Sequence, residues 1–383
     1  MIESTPQSEI AKYYLEIKAY LPDNRSNIGK RHELAFVLVS FLVAILRSNG
    51  KLSLSQIHRT MNREHCVLSQ NLDYKESRCI SRVQLRRVLQ SLDYKSFNRI
   101  NEQYFGKVVK TQNRLDWYSI DGKELRGNID RAAGSKRGEN VVLQVNHQSK
   151  QSQIIGFYEG KKQSEKQVVK QYFEQDRLFS GQGYSMDALH CSSDLLAKIA
   201  KNEGVYLCQV KANQKELLED CVLIHQKSPN QCQATTIQKA HGRIETRKGF
   251  CYPINVEGLQ TRWKETQIKT LVVLQRDTLL VKNDKKSTET AYYISNMAAS
   301  SEEKGLIDSV RNHWTIESQN YVRDVNFGED NIVCLHQNIS RAIASVLTIA
   351  INLLQKQNKI ANLRILRENL VYDRSQIFKL FQN

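Results

Sequence analysis

The chain has 383 residues, 40% hydrophobic and 25% charged, with 56 Lys and Arg against 40 Asp and Glu and a formal net charge of +16. That balance excludes a disordered chain, a collagen-like repeat and a disulfide-stapled miniature, and the length suits two or three domains. A cationic excess of this size favours a polyanionic partner, because each phosphate neutralised by Lys or Arg releases condensed counterions.

Residues 1 to 115 carry roughly half of the excess and read as mainly helical. Pro22-Asp23-Asn24 breaks the chain before an apolar run at 34 to 46, Ser53 or Ser55 suits the cap of a helix through 62, and Ser81 opens a helix to 92. In that last helix Val83, Leu85, Val88 and Leu89 leave Arg82, Arg86 and Arg87 largely outward, as either a solvated face or a phosphate contact.

From residue 116 the pattern becomes strand-rich. DWYSID (116 to 121) reads as a short strand ending at DGK, and NVVLQVNHQ (140 to 148) and SQIIGFYEG (152 to 160) as a hairpin about Ser149-Lys150-Gln151. Helical spacing at 164 to 176, a strand ending in Asp187, a Ser-capped helix closed by glycine at 192 to 204, and a strand at 205 to 211 follow. The order β-β-β-α-β-α-β predicts an α/β fold on a mixed sheet. Further strands are expected at 243 to 254, 268 to 276 and 289 to 295, then a helix from Ser301 through Glu317, then a last helix over 338 to 357.

The two apolar runs, 34 to 46 and 342 to 354, are thirteen residues each, short of the roughly 20 that cross a bilayer, and read as buried core helices. No long amphipathic anchor accompanies the charge, so nucleic acid is expected over membrane. The start MIESTPQSEIAKYY shows neither a basic leader nor a cleavage site, so a cytoplasmic location, on the nucleoid when bound to DNA, is expected. The eight cysteines form no CxxC and match no histidine pair, which suggests reduced, mostly buried thiols rather than a zinc or redox site.

Three acids stand out by position. Asp121 ends the first strand, Asp187 ends the fourth, and Glu317 lies on a later helix. A three-strand meander followed by a parallel unit makes strands one and four central neighbours, so their carboxylates can meet at one end. A glutamate from a packed helix would complete three oxygen donors, a set suited to Mg²⁺, with Mn²⁺ as a substitute. Two such ions serve phosphodiester cleavage or strand transfer. An Asp after a strand is equally a turn former, and Glu317 alone a surface residue.

The stretches DGKELRG (121 to 127), MDALH (186 to 190), VYLCQVKANQKELLED (205 to 220), HGRIETR (241 to 247) and RNHWTIE (311 to 317) leading into RDVNFGED (323 to 330) carry a resemblance. With the leader PDNRSNIGKRHEL (22 to 34), the chain resembles bacterial insertion-sequence transposases of the DDE type, nearest the H-repeat-associated group. The resemblance implies a ribonuclease-H-like core with Asp121, Asp187 and Glu317 as the metal-binding triad, and a β-rich insertion in the long second gap. It also implies binding of terminal inverted repeats and target DNA, Mg²⁺-dependent cleavage and strand transfer, and a homodimer when two ends are paired. A non-catalytic DNA-binding relic and a metal nuclease without joining are the alternatives.

The expected organisation is a helical DNA-binding or assembly domain (1–110), a core (111–213 and 296–357), an insertion (214–295) and a C-terminal tail (358–383). Candidate DNA contacts are Lys123, Arg126 and Lys211 beside the metals, His241, Arg243 and Arg247 in the insertion, and His313 one helical turn before Glu317. Trp314 reads as core and Trp263 as a candidate for holding an extruded base. Relatives commonly carry one more residue between the Glu and the RDV element than IESQNYVRDV does. Its loss predicts either that Arg323 and Asp324 point elsewhere or that the helix distorts locally.

Overall fold

The computed structural model describes residues 9–48, 52–105, 115–160, 162–174, 177–228, 233–240, 242–357 and 362–380. Five helices come first: α1 (Glu9–Tyr20), α2 (Leu34–Arg47), α3 (Leu54–Asn71), α4 (Arg82–Ser91) and α5 (Tyr94–Phe105). The hydroxyls of Ser53 and Ser81 accept the backbone N–H of Gln56 and Gln84, which satisfies donors at the exposed starts of α3 and α4. α2 is apolar on every side and is buried throughout.

The α/β part runs β1 (Asp116–Glu124), β2 (Glu139–Asn146), β3 (Ser152–Glu159), α6 (Lys162–Phe173), β4 (Gln182–Met186), α7 (Ser193–Lys201), β5 (Val205–Val210), α8 (Lys215–Lys227), β6 (Ala234–Ala240), β7 (Arg243–Pro253), β8 (Thr270–Leu280) and β9 (Lys285–Ser295). After it come α9 (Ala299–Asn312), α10 (Thr315–Tyr321), α11 (Gln337–Gln357), α12 (Leu363–Tyr372) and α13 (Ser375–Leu380).

All nine strands form one mixed sheet in the order β3-β2-β1-β4-β5-β9-β8-β7-β6. β1 pairs antiparallel with β2 and parallel with β4, so strands one and four are neighbours. The segment expected as an inserted domain extends the same sheet instead, because β9 docks antiparallel on β5 and carries β8, β7 and β6 with it. β6 escaped sequence reading because its side chains are mostly exposed and give no apolar alternation.

Alternation divides the sheet into two faces. Tyr184, Met186, Tyr206, Cys208 and Ile120 pack with α6, α7 and α8 in one core. Trp117, Leu207 and Val272 meet Leu306, Ile307 and Val310 of α9, while Val141, Leu143 and Val145 meet Ile316 of α10 and Ala344 of α11. β1 continues past the expected turn at DGK to Glu124, because β2 pairs with it as far as Glu124–Asn140. Gly122 permits this: a Cβ there would stand 2.5 Å from Glu165 Oε2.

The N-terminal helices do not form a closed unit. Their core includes Ile339, Ile343, Val346, Leu347, Ala350 and Leu354 of α11 and Leu363 and Leu370 of α12. Arg47 at the end of α2 gives hydrogen bonds to the carbonyls of Leu370 (2.8 Å) and Val371 (3.2 Å), and Arg367 of α12 gives one to Ser48 (2.7 Å). The expected tail is therefore a structural part of the helical layer. By length and composition α11 would reach across a bilayer, yet 78% of its apolar window is buried in the fold.

A buried polar node fixes α9 and α10 on the sheet. His147 Nε2 lies 2.9 Å from Ser119 Oγ and 3.1 Å from Ser185 Oγ, and Ser185 Oγ lies 2.9 Å from His313 Nδ1. Burial, with lesser contributions from His313 and Lys150, pulls the His147 imidazole down to about 3.

Two expectations follow. A fragment ending at residue 110 leaves α2, α4 and α5 without the cover of α11, and should show helical circular dichroism without a cooperative thermal transition, whereas the full chain unfolds cooperatively. Between pH 6.5 and 3 the unfolded chain binds a proton that folded His147 refuses, so stability present above pH 6.5 is lost as pH falls. By pH 4.5 the loss from this residue should be roughly 2–3 kcal/mol, read by urea unfolding, and His147→Gln should flatten that slope.

Candidate active site

Asp121, Asp187 and Glu317 belong to the sheet face that carries α9 and α10. Asp121 follows Trp117 and Ser119 by alternation on β1, and the Ser119 hydroxyl reaches the Asn312 carbonyl at the end of α9. Asp187 leaves β4, and its carboxylate accepts the N–H of Leu189 (2.9 Å), capping the 3₁₀ turn Ala188–His190. Glu317 sits in the first turn of α10, exposed. Asp187 and Glu317 both line one cleft of about 890 Å³, walled on the far side by β6 to β9.

The Asp121 carboxyl is pushed up to about 7, first by burial and then by the charges of Glu165 and Asp187. Glu165 is a residue that sequence reading missed. It is buried on α6, accepts the Tyr158 hydroxyl (2.8 Å) and meets His190 Nε2 (3.1 Å), three residues beyond Asp187. No spacing pattern marks it. The only trace is Gly122, which admits its carboxylate to the strand.

The donor set fits a hard divalent cation in kind: three carboxylates, one of them with its affinity for a proton raised by burial and neighbouring negative charge. In closeness it is incomplete. Among the described residues no three His, Cys, Asp or Glu side chains gather tightly enough to hold a metal ion.

The candidate DNA contacts separate into distinct environments. Lys123 is buried, and its ammonium meets Asp324 (2.8 Å), Asp330 (3.2 Å) and Glu329 (3.3 Å). Burial opposes that charge, but Glu329 and Asp324 outweigh it and hold its pKa above the usual lysine range. Lys123 is therefore a structural cation rather than a phosphate contact. Arg126 is exposed, 3.9 Å from Asp330. Lys211, Arg243 and Arg247 line the cleft, with Arg243 2.9 Å from Glu245 and Arg247 also paired to Glu245. His313 reaches the cleft wall but turns its Nδ1 inward to Ser185, and burial lowers its pKa against the opposing pull of Asp187. His241 lies outside the described residues.

Both tryptophan readings reverse. Trp263 is 1% exposed and packs beneath the sheet with Tyr206 and Leu271, so no base reaches it. Trp314 is 63% exposed at the cleft, because the break between α9 and α10 turns it outward while Thr315 and Ile316 take the buried positions.

After α10 the chain distorts as one of the two expected outcomes of the shortened segment. Val322–Asn326 is a π-helical turn, closed by Phe327 N–H to the Val322 carbonyl (3.2 Å). It turns Arg323 fully inward, where the guanidinium binds Glu329 twice (2.6 and 2.9 Å), Thr348 Oγ1 (2.8 Å) and the Ala344 carbonyl (3.2 Å).

The DDE_Tnp_1-associated family matches residues 16–105, from the last turn of α1 to the end of α5. The chain is 25% identical to "Putative protein YbfL" and 24% identical to "H repeat-associated putative transposase YhhI", both of Escherichia coli K12, over 90% of each chain. It is 26% identical to "Putative transposase YncI" of Escherichia coli O157:H7 over 71% of this chain and 70% of that one. Over most of its length the chain is therefore similar to proteins named as putative transposases, one of them H-repeat-associated.

Proposed function

We propose that the protein is a DNA transposase with a ribonuclease-H-like core, and that Asp121, Asp187 and Glu317 hold Mg²⁺ for strand cleavage and strand transfer. The observation that carries this reading is the parallel β1–β4 pair, which sets Asp121 close enough to Asp187 to feel its charge, while Asp187 and Glu317 line one cleft. Bound divalent ions would supply activation of water or a 3′-hydroxyl and neutralisation of the leaving oxygen.

The protein's own part is positional. β1 carries Asp121 and the end of its neighbour β4 sets Asp187, the His147–Ser185–His313 node seats the α9–α10 break, and α10 presents Glu317. Lys211, Arg243 and Arg247 then border the path of the substrate strand. The partners would be duplex DNA bearing terminal inverted repeats, and target DNA, with two copies of the chain pairing two ends.

The open spacing of the acids and the π turn beside Glu317 favour one second reading, a DNA-binding relative of reduced turnover. A labelled duplex taken from the DNA bordering the gene, incubated with Mg²⁺ or Mn²⁺, separates the readings. Joined product supports the transposase, cut ends alone a nuclease, and a gel shift without cleavage the relic. Asp121→Ala, Asp187→Ala and Glu317→Ala should each abolish cleavage while leaving duplex affinity within about twofold, since binding rests on cationic groups elsewhere.

Restoring a residue in the last turn of α10 should not rescue activity. A His inserted between Asn320 and Tyr321 rotates Arg323 away from Glu329, leaving that buried carboxylate with Lys123 alone, at a cost of about 3–5 kcal/mol. Thermal unfolding of the inserted variant should show a large fall in Tm, and an unchanged Tm would refute the assignment of Arg323 as a structural lock.

A further inference from the structure

Most arginines whose surroundings are described are spoken for. Arg47, Arg323 and Arg367 turn inward onto carbonyls or carboxylates, and those lining the cleft on β7 and β8 pair with Glu245 or Glu289. α4 gathers three that no described carboxylate meets onto one helix face. Its inner face, Leu85, Val88 and Leu89, is buried in the helical core that α11 completes, and its outer face holds Arg82, Arg86 and Arg87, all exposed. The helix contains no acidic residue, and among the described residues no carboxylate pairs with any of the three. Arg82 makes a single hydrogen bond to Ser55 Oγ (3.0 Å).

This face is continuous with the strand that carries Asp121. The Arg86 charge acts on the Cys334 thiol, and the backbone of Cys334 is tied to the turn after β1: its N–H donates to the Gly127 carbonyl (3.0 Å) and its carbonyl accepts from Asn128 (3.1 Å). The approach is tight, since a Cβ on Gly127 would stand 2.3 Å from the Ile332 carbonyl oxygen. Arg126, whose side chain is 67% exposed, stands on that same turn. Val333 and Leu335, 78% and 53% exposed, flank Cys334 between the two basic groups.

We propose that the outer face of α4, with Arg126, is a docking surface for duplex DNA that leads from the helical layer toward Asp121. Charge complementarity identifies the occupant: three guanidinium groups on α4 without a carboxylate contact, extended by the exposed Arg126 at 3.9 Å from Asp330, match the regular phosphate array of a duplex. Shape agrees. A ten-residue helix is about 15 Å long, and with side chains about 10–12 Å across, the size that a major groove about 12 Å wide admits. The inference deepens the transposase reading by naming where the duplex is held outside the cleft.

The test is fluorescence anisotropy with a labelled duplex of roughly 40 base pairs across a series of salt concentrations. It uses the full-length protein, the variant Arg82→Ala/Arg86→Ala/Arg87→Ala, and a control of equal charge loss, Lys282→Ala/Lys285→Ala/Lys286→Ala, at the exposed β8–β9 turn. All substituted side chains are exposed, and matching circular dichroism and Tm verify the folds. The α4 variant should bind at least about tenfold more weakly near 100 mM salt, with a log–log salt slope reduced by about 2 to 3, while the lysine variant changes less than about threefold. A wild type that binds but loses nothing in the α4 variant, or loses as much in the lysine variant, overturns this surface and leaves the transposase reading standing. A wild type without duplex affinity at low salt overturns both.

Discussion

The candidate site depends on one buried ion cluster. Lys123, two residues beyond Asp121 on β1, meets Asp324 and Asp330 at its ammonium, and shares Glu329 with Arg323. Arg323 is fully buried and reaches Thr348 and Ala344 on α11. Removing these charges from water costs several kcal/mol per ion, and the cost is tolerable only because almost every donor and acceptor has a partner. Such a cluster contributes little net stability, but it is intolerant of misplacement. It therefore locks the end of the Asp121 strand, the turn after the Glu317 helix and the core helix α11 into one register.

That register explains the fold's division of labour. α11 is shared property: one side completes the core of the N-terminal helices, and Ala344 meets the sheet beside Ile316 of α10. The helical layer and the α/β sheet consequently have no independent boundary, and a disturbance at the π turn propagates to both. The expected insertion is equally integrated, since β9 completes the backbone hydrogen bonding of β5 and the far strands wall the cleft.

Much of the α/β half was legible because its strands are apolar and its order is informative. β-β-β-α-β places the first and fourth strands side by side, and alternation then decides which face each acid takes. What was not legible depended on long-range burial. Nothing local shows that Lys123 is enclosed, since its three carboxylate partners lie some two hundred residues away. DGK looks like a turn until β2 pairs across it, and Glu165 looks like any helix-start acid until Gly122 admits it to the strand. Trp263 and Trp314 exchanged their expected environments for a similar reason. Size and aromaticity favour burial, but the break between α9 and α10 decides which side chain of RNHWTIE faces outward.

The electrostatics of the cleft and of the outer surface are different problems despite a shared sign of net charge. Within the cleft, Arg243 and Arg247 share Glu245, and Arg276 meets Glu289, so the β7–β8 wall is a lattice of neutralised pairs, while Lys211 and Arg311 border it from other elements. A phosphate entering there would compete with carboxylates already at hydrogen-bonding distance and gain little long-range attraction. Unpaired guanidinium on a surface acts over about a Debye length, roughly 8–10 Å at ordinary salt, and releases counterions when it meets a polyanion. Paired arginines thus serve orientation at short range, and unpaired ones supply attraction. A basic chain that spends its buried arginines on carbonyls and carboxylates leaves that second role to exposed cations on which no acid sits, and α4 sets three of them side by side.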